Sequence, residues 1–262
     1  MHPFLRPILV LCTSLSLGLS QASEPQAQPV TLTVICSKGF IGALHAISPS
    51  YEKSSAVTLN IRTVSSRRQT LEAIADGRAN GQQVDLVLTD GAAMDTLVAQ
   101  RQVDKATRVD LGQSFIAVAV RQGAEKPNIE TVSALRDALI RADSVAYSNT
   151  GSGAYLSRWL FPHMALDQDF LLKSNAVHAE PVASVVARGE AQLGFQQLSE
   201  LKAAPGIDIV GLITDKVQQM VLYSGAVAQG SAYAAQARDL LKYLKSPDGS
   251  VALQLSGLRP LD

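Results

Sequence analysis

The chain has 262 residues, 47% of them hydrophobic, 18% charged and 5% aromatic, and its 23 Lys+Arg balance its 23 Asp+Glu. A formal charge of zero argues against a nucleic-acid binder, which carries a basic excess or a basic face. The apolar content excludes a disordered chain, and the length suits one large domain or two lobes of roughly 100 residues each.

Residues 1–22 read as a secretory signal peptide. His2 and Arg6 make a weakly basic start, and the run from Pro7 to Leu19 is apolar but too short for a comfortable membrane span. Ser20-Gln21-Ala22 offers small residues around one skipped position, so cleavage is expected after Ala22, with a polar stretch, Ser23 to Gln28, following. The mature protein is then expected to be periplasmic, with no membrane insertion. Cleavage removes Cys12 and leaves Cys36 alone, so no internal disulfide is expected. There is no Cys-x-x-Cys, and His2, His45, His163 and His178 show no His-x-x-x-His spacing, so no metal site is expected.

Strand-like and helix-like segments then alternate. Thr31 to Cys36 is a short β-branched run, Gly42 to Ser55 a helix, and Val57 to Val64 a strand by its period of two. A helix over Ser66 to Gly77 and a strand over Val84 to Leu88 follow, then a long apolar strand over Ser114 to Val120. A new set begins with a helix near Thr131–Ala142, a strand at Ser144–Tyr147 and a helix from Gly153. After Glu180 come a helix through Gly189, strands at Gln192–Phe195, Ile207–Ile213 and Val217–Val227, and helices at Tyr233–Lys245 and near Gly249–Leu255. Such alternation predicts a mostly parallel sheet with helices on both faces.

The economical arrangement is two α/β lobes: residues 23–115 with 225–262, and an inserted lobe of 120–212. Extended segments at 113–121 and 213–224 cross between them as a hinge, which suggests closure on a ligand. In open α/β sheets ligands bind beyond the carboxyl ends of the strands, where helix N-termini favour anions. Five such ends are legible: 36–39, 64–68, 88–91, 147–153 and 195–197. They offer Ser37, Ser66, Asn149, Thr150, Ser152 and Gln196 as polar groups, with Gly151 and Gly153 permitting close backbone approach. Lys38, Arg67 and Arg68 lie in two adjacent loops and would together suit a ligand with several negative charges. Neighbours on a helix point about 100° apart, so one of the two arginines should face away; Arg67, nearer the helix start, is favoured for the cleft.

The strand–Ser–helix start, Ser65-Ser66-Arg67-Arg68 after the second strand, Val84-Asp85-Leu86-Val87 leading to Thr89-Asp90, and Gly189-Glu190-Ala191-Gln192-Leu193-Gly194-Phe195 carry a resemblance. In this order they resemble the periplasmic molybdate-binding-protein-like substrate-binding proteins of ABC transporters, over nearly the whole mature chain. The resemblance implies a two-lobe periplasmic-binding-protein-like α/β fold, with mixed sheets flanked by helices and two hinge crossings. Three departures stand out: Lys38 directly after Ser37, Arg67-Arg68 in place of small neutral residues, and Gln196 where that family has Tyr. They suit a larger, more highly charged anion such as a polycarboxylate.

In length, short leader and whole-chain character the sequence is also similar to the bacterial aconitate isomerases, enzymes on the same scaffold. That similarity implies interconversion of trans- and cis-aconitate by a 1,3-allylic proton shift, with no metal or organic cofactor. Lys38, Arg67 and Arg68, with the turns at Ser37, Ser66 and 151–153, would neutralise three carboxylates and the charge developing on them. Lys38 is the first choice of base, with His45 and Glu180 as weaker ones; Asp90 caps a helix or orients Lys38. The competing reading is a non-catalytic binding protein that delivers a tricarboxylate, or a molybdate-like oxyanion, to an ABC permease. A serine hydrolase is excluded by the absence of Gly-x-Ser-x-Gly.

Overall fold

The structure, a computed structural model, describes residues 30–149, 151–178 and 180–261. The expected signal peptide with its cleavage point, and Thr150, lie outside the described residues. The strands are β1 (Val30–Ser37), β2 (Val57–Val64), β3 (Leu86–Asp90), β4 (Val109–Arg121) and β5 (Val145–Ser148), then β6 (Ser174–Val177), β7 (Leu193–Gln197), β8 (Ile207–Leu212), β9 (Met220–Val227) and β10 (Arg259–Pro260). The first five α-helices are α1 (Lys38–Ser55), α2 (Arg67–Ala79), α3 (Gly91–Ala99), α4 (Val132–Arg141) and α5 (Ser152–Tyr155).

Hydrogen bonding follows the order β2-β1-β3-β9-β4-β7-β5-β6, with β8 and β10 also on β4. The fold is mixed α/β. Strands β2, β1 and β3 are parallel, as are β6, β5 and β7, but β9 and β4 run antiparallel to their neighbours. The mostly parallel sheet expected from alternation is therefore interrupted at its centre. Strand β4 serves both groups: residues 109–115 pair with β9, and residues 116–121 pair with β7 and β8. Where the pairing changes, the side chain of Gln218 stands in for a strand. Its Oε1 accepts from Ile116 N at 2.7 Å, and its Nε2 donates to the carbonyls of Ile116 and Ile213, each at 3.0 Å.

Strand β1 is buried on both faces, which is why it reads as an unbroken apolar run. Val34 and Cys36 pack with Phe40, Leu44 and Ile47 of α1 and with Leu240, Leu241 and Leu244 of the C-terminal helix Ala234–Leu244. Ile35 turns to the other face, against Ile74 of α2 and Met94 and Leu97 of α3. Each such side chain contributes roughly 1.5–3 kcal/mol when fully buried. In β4 the alternation sorts by size. Ile116, Val118 and Val120 meet Leu139, Leu156 and Phe195, whereas Ala117 and Ala119 leave room for Ala183 and Leu201 on the opposite face.

Helix α1 begins at Lys38 and not at Gly42. Ser37 still has extended φ/ψ (−70°, 151°), and the helical spacing of Phe40, Ala43, Leu44, Ile47 and Tyr51 carries the buried stripe back to the first turn. Helix α2 likewise starts at Arg67, capped by Ser66, whose Oγ accepts from Gln69 N at 3.3 Å. Lys38, Arg67 and Arg68, expected in loops, therefore stand in the first turns of two helices. Helix α3, β6 and β10 were not in the sequence expectation. Among the described residues no helix is long and apolar enough to cross a membrane.

Candidate functional site

A cavity of about 630 Å3 lies beyond the carboxyl ends of the parallel strands. All five strand ends expected from sequence contribute to its wall. Strand β1 and α1 bring Ser37, Lys38 and Gly39, and β2 and α2 bring Ser66, Arg67 and Arg68. Asp90 closes β3, Asn149, Gly151 and Ser152 follow β5, and Gln196 ends β7. Lys38, Arg67 and Arg68 are exposed, but they face the same cavity.

The electrostatics of this wall run against ordinary helix chemistry. Acids stabilise the first turn of a helix, where unpaired N–H groups sum to about half a positive charge. Neither α1 nor α2 has an acid there; both carry cations instead. Ser37 occupies the cap position of α1 but makes no capping bond, and its buried Oγ has no hydrogen-bond partner among the described residues. Local rules broken together in this way mark a functional site.

The arginines are differently engaged. Arg68 pairs with Glu72 at 2.6 Å one turn along α2, and Arg67 Nη1 donates to Thr96 Oγ1 of α3 at 3.4 Å. Asp90 caps α3, its Oδ1 accepting from Ala93 N at 2.9 Å. Glu180 is gripped by Arg188, whose Nη1 and Nη2 donate at 2.7 and 2.9 Å, and the guanidinium holds its carboxyl below the usual range. His45 is exposed on α1 and does not line the cavity.

Backbone demands are strict at the α5 turn. Gly151 has φ 51°, and a Cβ on Gly153 would stand 2.5 Å from the Ser148 carbonyl carbon. Asn149 at this turn lies 3.0 Å from His178 Nδ1, so the end of β6 joins the wall. A Cβ on Gly39 would stand 2.5 Å from Tyr223 Cζ, so the tyrosine of β9 closes the cavity floor over a bare helix start.

Tyr223, His178 and Glu200 are lining residues that the sequence reading missed. Glu200 follows Gln196 by four residues, in the short helix Leu198–Leu201, and accepts from Gln196 Nε2 at 2.6 Å. That spacing, just past a strand end, was the available signal. Burial pushes the Glu200 carboxyl up, and the Gln196 bond and the charge of Lys38 partly offset this. Burial also raises the Tyr223 phenol, so it remains a donor. The Gln196 Oε1 and both amide atoms of Gln197 are buried without hydrogen-bond partners among the described residues. Those residues include no group of three His, Cys, Asp or Glu able to hold a metal ion.

Residues 32–259 match the family described as bacterial extracellular solute-binding protein. The chain belongs to that family. Its membership accounts for a cleft that takes a small-molecule ligand. Within it, the chain is 54% identical over 252 residues to an aconitate isomerase from a Pseudomonas species, covering 95% of this chain and 96% of that one. Among solved structures, the periplasmic molybdate-binding protein of Azotobacter vinelandii aligns with a TM-score of 0.67 at 18% identity, over 88% of this chain and all of that one. Peb3 from Campylobacter jejuni aligns with a TM-score of 0.62 at 15% identity, over 87% of this chain and 99% of that one. These likenesses show the periplasmic-binding-protein-like fold.

Proposed function

We propose that the protein is an aconitate isomerase, interconverting trans- and cis-aconitate by a 1,3-allylic proton shift in this cleft. One observation carries the reading: three cations and two acid-free helix N-termini converge on one cavity, in a chain 54% identical to an aconitate isomerase. Lys38, Arg67 and Arg68 equal the charge of a tricarboxylate. The two helix ends add about half a charge each, directed at the density that develops when a methylene proton leaves. Ser37, Ser66, Asn149, Thr150, Gly151, Ser152, Asp90 and Gln196 complete the expected binding wall. Two groups near the floor compete for the proton: Lys38, expected from sequence, and Glu200.

Closure is the second part of the proposal. Lobes of residues 23–115 with 225–262 and of 120–212 would swing about the crossings at 113–121 and 213–224. The change of β4 partners at residues 115–116 and the contribution of both strand groups to the cavity support this. The enzyme works in the periplasm after cleavage behind Ala22.

The test is incubation of purified protein with trans-aconitate and chromatography for cis-aconitate. Tight binding of tricarballylate, the saturated analogue, without any turnover would leave a carrier delivering a tricarboxylate to an ABC permease.

A further inference from the structure

We infer that Glu200 is the catalytic base of the cleft, with Gln196 holding its carboxylate and Lys38 supplying charge. The inference rests on the aconitate isomerase reading and names the group that moves the proton.

Three carboxylates line the cavity, and two are committed elsewhere. Asp90 caps α3 through Ala93 N, and both oxygens of Glu180 are tied to Arg188. Glu200 differs. Its Oε2 accepts from a neutral donor, Gln196 Nε2, and its Oε1 accepts no hydrogen bond among the described residues. The bond leaves the carboxylate fixed in direction yet basic, because it is not neutralised by an ion pair.

The surroundings favour the basic role. Burial is the largest influence on Glu200 and raises its proton affinity. A carboxylate raised in this way is a stronger base than a solvated one. The groups facing it are Lys38 from the start of α1, Gln196 from β7 and Tyr223 from β9. A trianion bound beside it raises its affinity further. Repulsion between substrate and base, which weighs against binding, therefore adds to proton abstraction.

The step balances within the substrate and Glu200. A Glu200 oxygen takes a proton from the methylene carbon. The C–H electron pair becomes a new double bond to the central carbon, and the former π pair moves to the far carbon and its carboxylate. The torsion about the bond from the methylene carbon to the central carbon, when the proton leaves, fixes the new double bond as cis or trans. The Glu200 carboxyl, whose proton exchanges with solvent while the dienolate is held, then protonates the far carbon and is regenerated.

Glu200→Gln keeps an acceptor for Gln196 and removes the base. Turnover of trans-aconitate and incorporation of deuterium from D2O should both fall by roughly 10²–10⁴-fold. Tricarballylate binding, measured by calorimetry, should persist or tighten, since a negative charge has gone. Glu200→Asp should keep part of the activity with a shifted pH midpoint for kcat. Lys38→Met should bind tricarballylate more weakly and turn over more slowly, yet at saturating substrate still incorporate deuterium well above the level of Glu200→Gln. Turnover in Glu200→Gln within threefold of wild type, or loss of tricarballylate binding together with turnover, overturns the assignment. So does normal incorporation in Glu200→Gln alongside its loss in Lys38→Met. A wild-type chain that binds tricarballylate without turning over trans-aconitate overturns the parent reading, and is recognised before any variant is compared.

Discussion

Two glycines of α1 should respond to alanine with opposite signs. Gly39 faces the buried ring of Tyr223, and an added Cβ would stand 2.5 Å from Cζ and 3.0 Å from Cε1. Carbon atoms rest near 3.5–4.0 Å, so the ring must retreat by about 1 Å. It cannot do so freely: Tyr223 is 4% exposed, packs beside Phe40 at 6.1 Å between centroids, and is held in β9 between β3 and β4. Overpacking of this kind costs about 1–3 kcal/mol, and the better helix propensity of alanine returns roughly 0.5–1 kcal/mol. Gly39→Ala should therefore lose up to about 2.5 kcal/mol and weaken tricarballylate binding, because the floor is displaced. Gly42 meets nothing nearer than Ser256 Cβ at 3.4 Å, an ordinary contact. Gly42→Ala should gain up to roughly 1 kcal/mol by propensity alone. Urea unfolding of both variants, compared at equal m values, reads the difference. A Gly39→Ala protein as stable as Gly42→Ala, with unaltered binding, would refute the placement of Tyr223 on the helix start.

Gly153→Ala should abolish ligand binding and lower the thermal midpoint, because the new Cβ collides with the Ser148 backbone and not with a movable side-chain tip; unchanged binding and midpoint would contradict the turn geometry. Arg68→Ala should change stability by less than about 0.5 kcal/mol, since its pair with Glu72 is exposed (79% and 51%), while calorimetry should show weaker tricarballylate binding. The Arg188 guanidinium holds the Glu180 and Glu190 carboxyls below their ordinary 4.5. Their stabilisation is therefore complete above that value and is lost as pH falls through the lowered folded values. Arg188→Ala should lower Tm at neutral pH and leave the acid end nearly unchanged, which flattens the Tm-against-pH curve between them.

The strand-to-helix turns were the most legible part of the chain. Ser, Gly and charged residues interrupt apolar runs there, and the physics of caps and tight turns is local. The same locality explains what was missed. Strand β9 pairs with β3 through Leu88 and Gly225, far apart in sequence, and nothing in either segment names its partner. Tyr223 therefore read as one more apolar strand residue, although it meets Gly39 across the cleft floor. Glu200, within Leu198-Ser199-Glu200-Leu201, lies in a segment where the sequence suggests no element, and its short helix packs against β7 and against β4 and α1, which are distant in sequence. Lys38 was placed in a loop because the two glycines after it mask a helical stripe that starts at Phe40.

Strand β4 constrains the length of the polypeptide more severely than its composition. Large side chains point one way and alanines the other across residues 116–120, directly after the stretch Gly112–Phe115 that pairs with β9 in steady register. Removing or adding one residue near position 115 would invert every later side chain, pressing Ile116, Val118 and Val120 against the helices shaped for alanine. Point substitutions there can be absorbed one at a time, whereas a single-codon insertion would be felt at once through half the molecule.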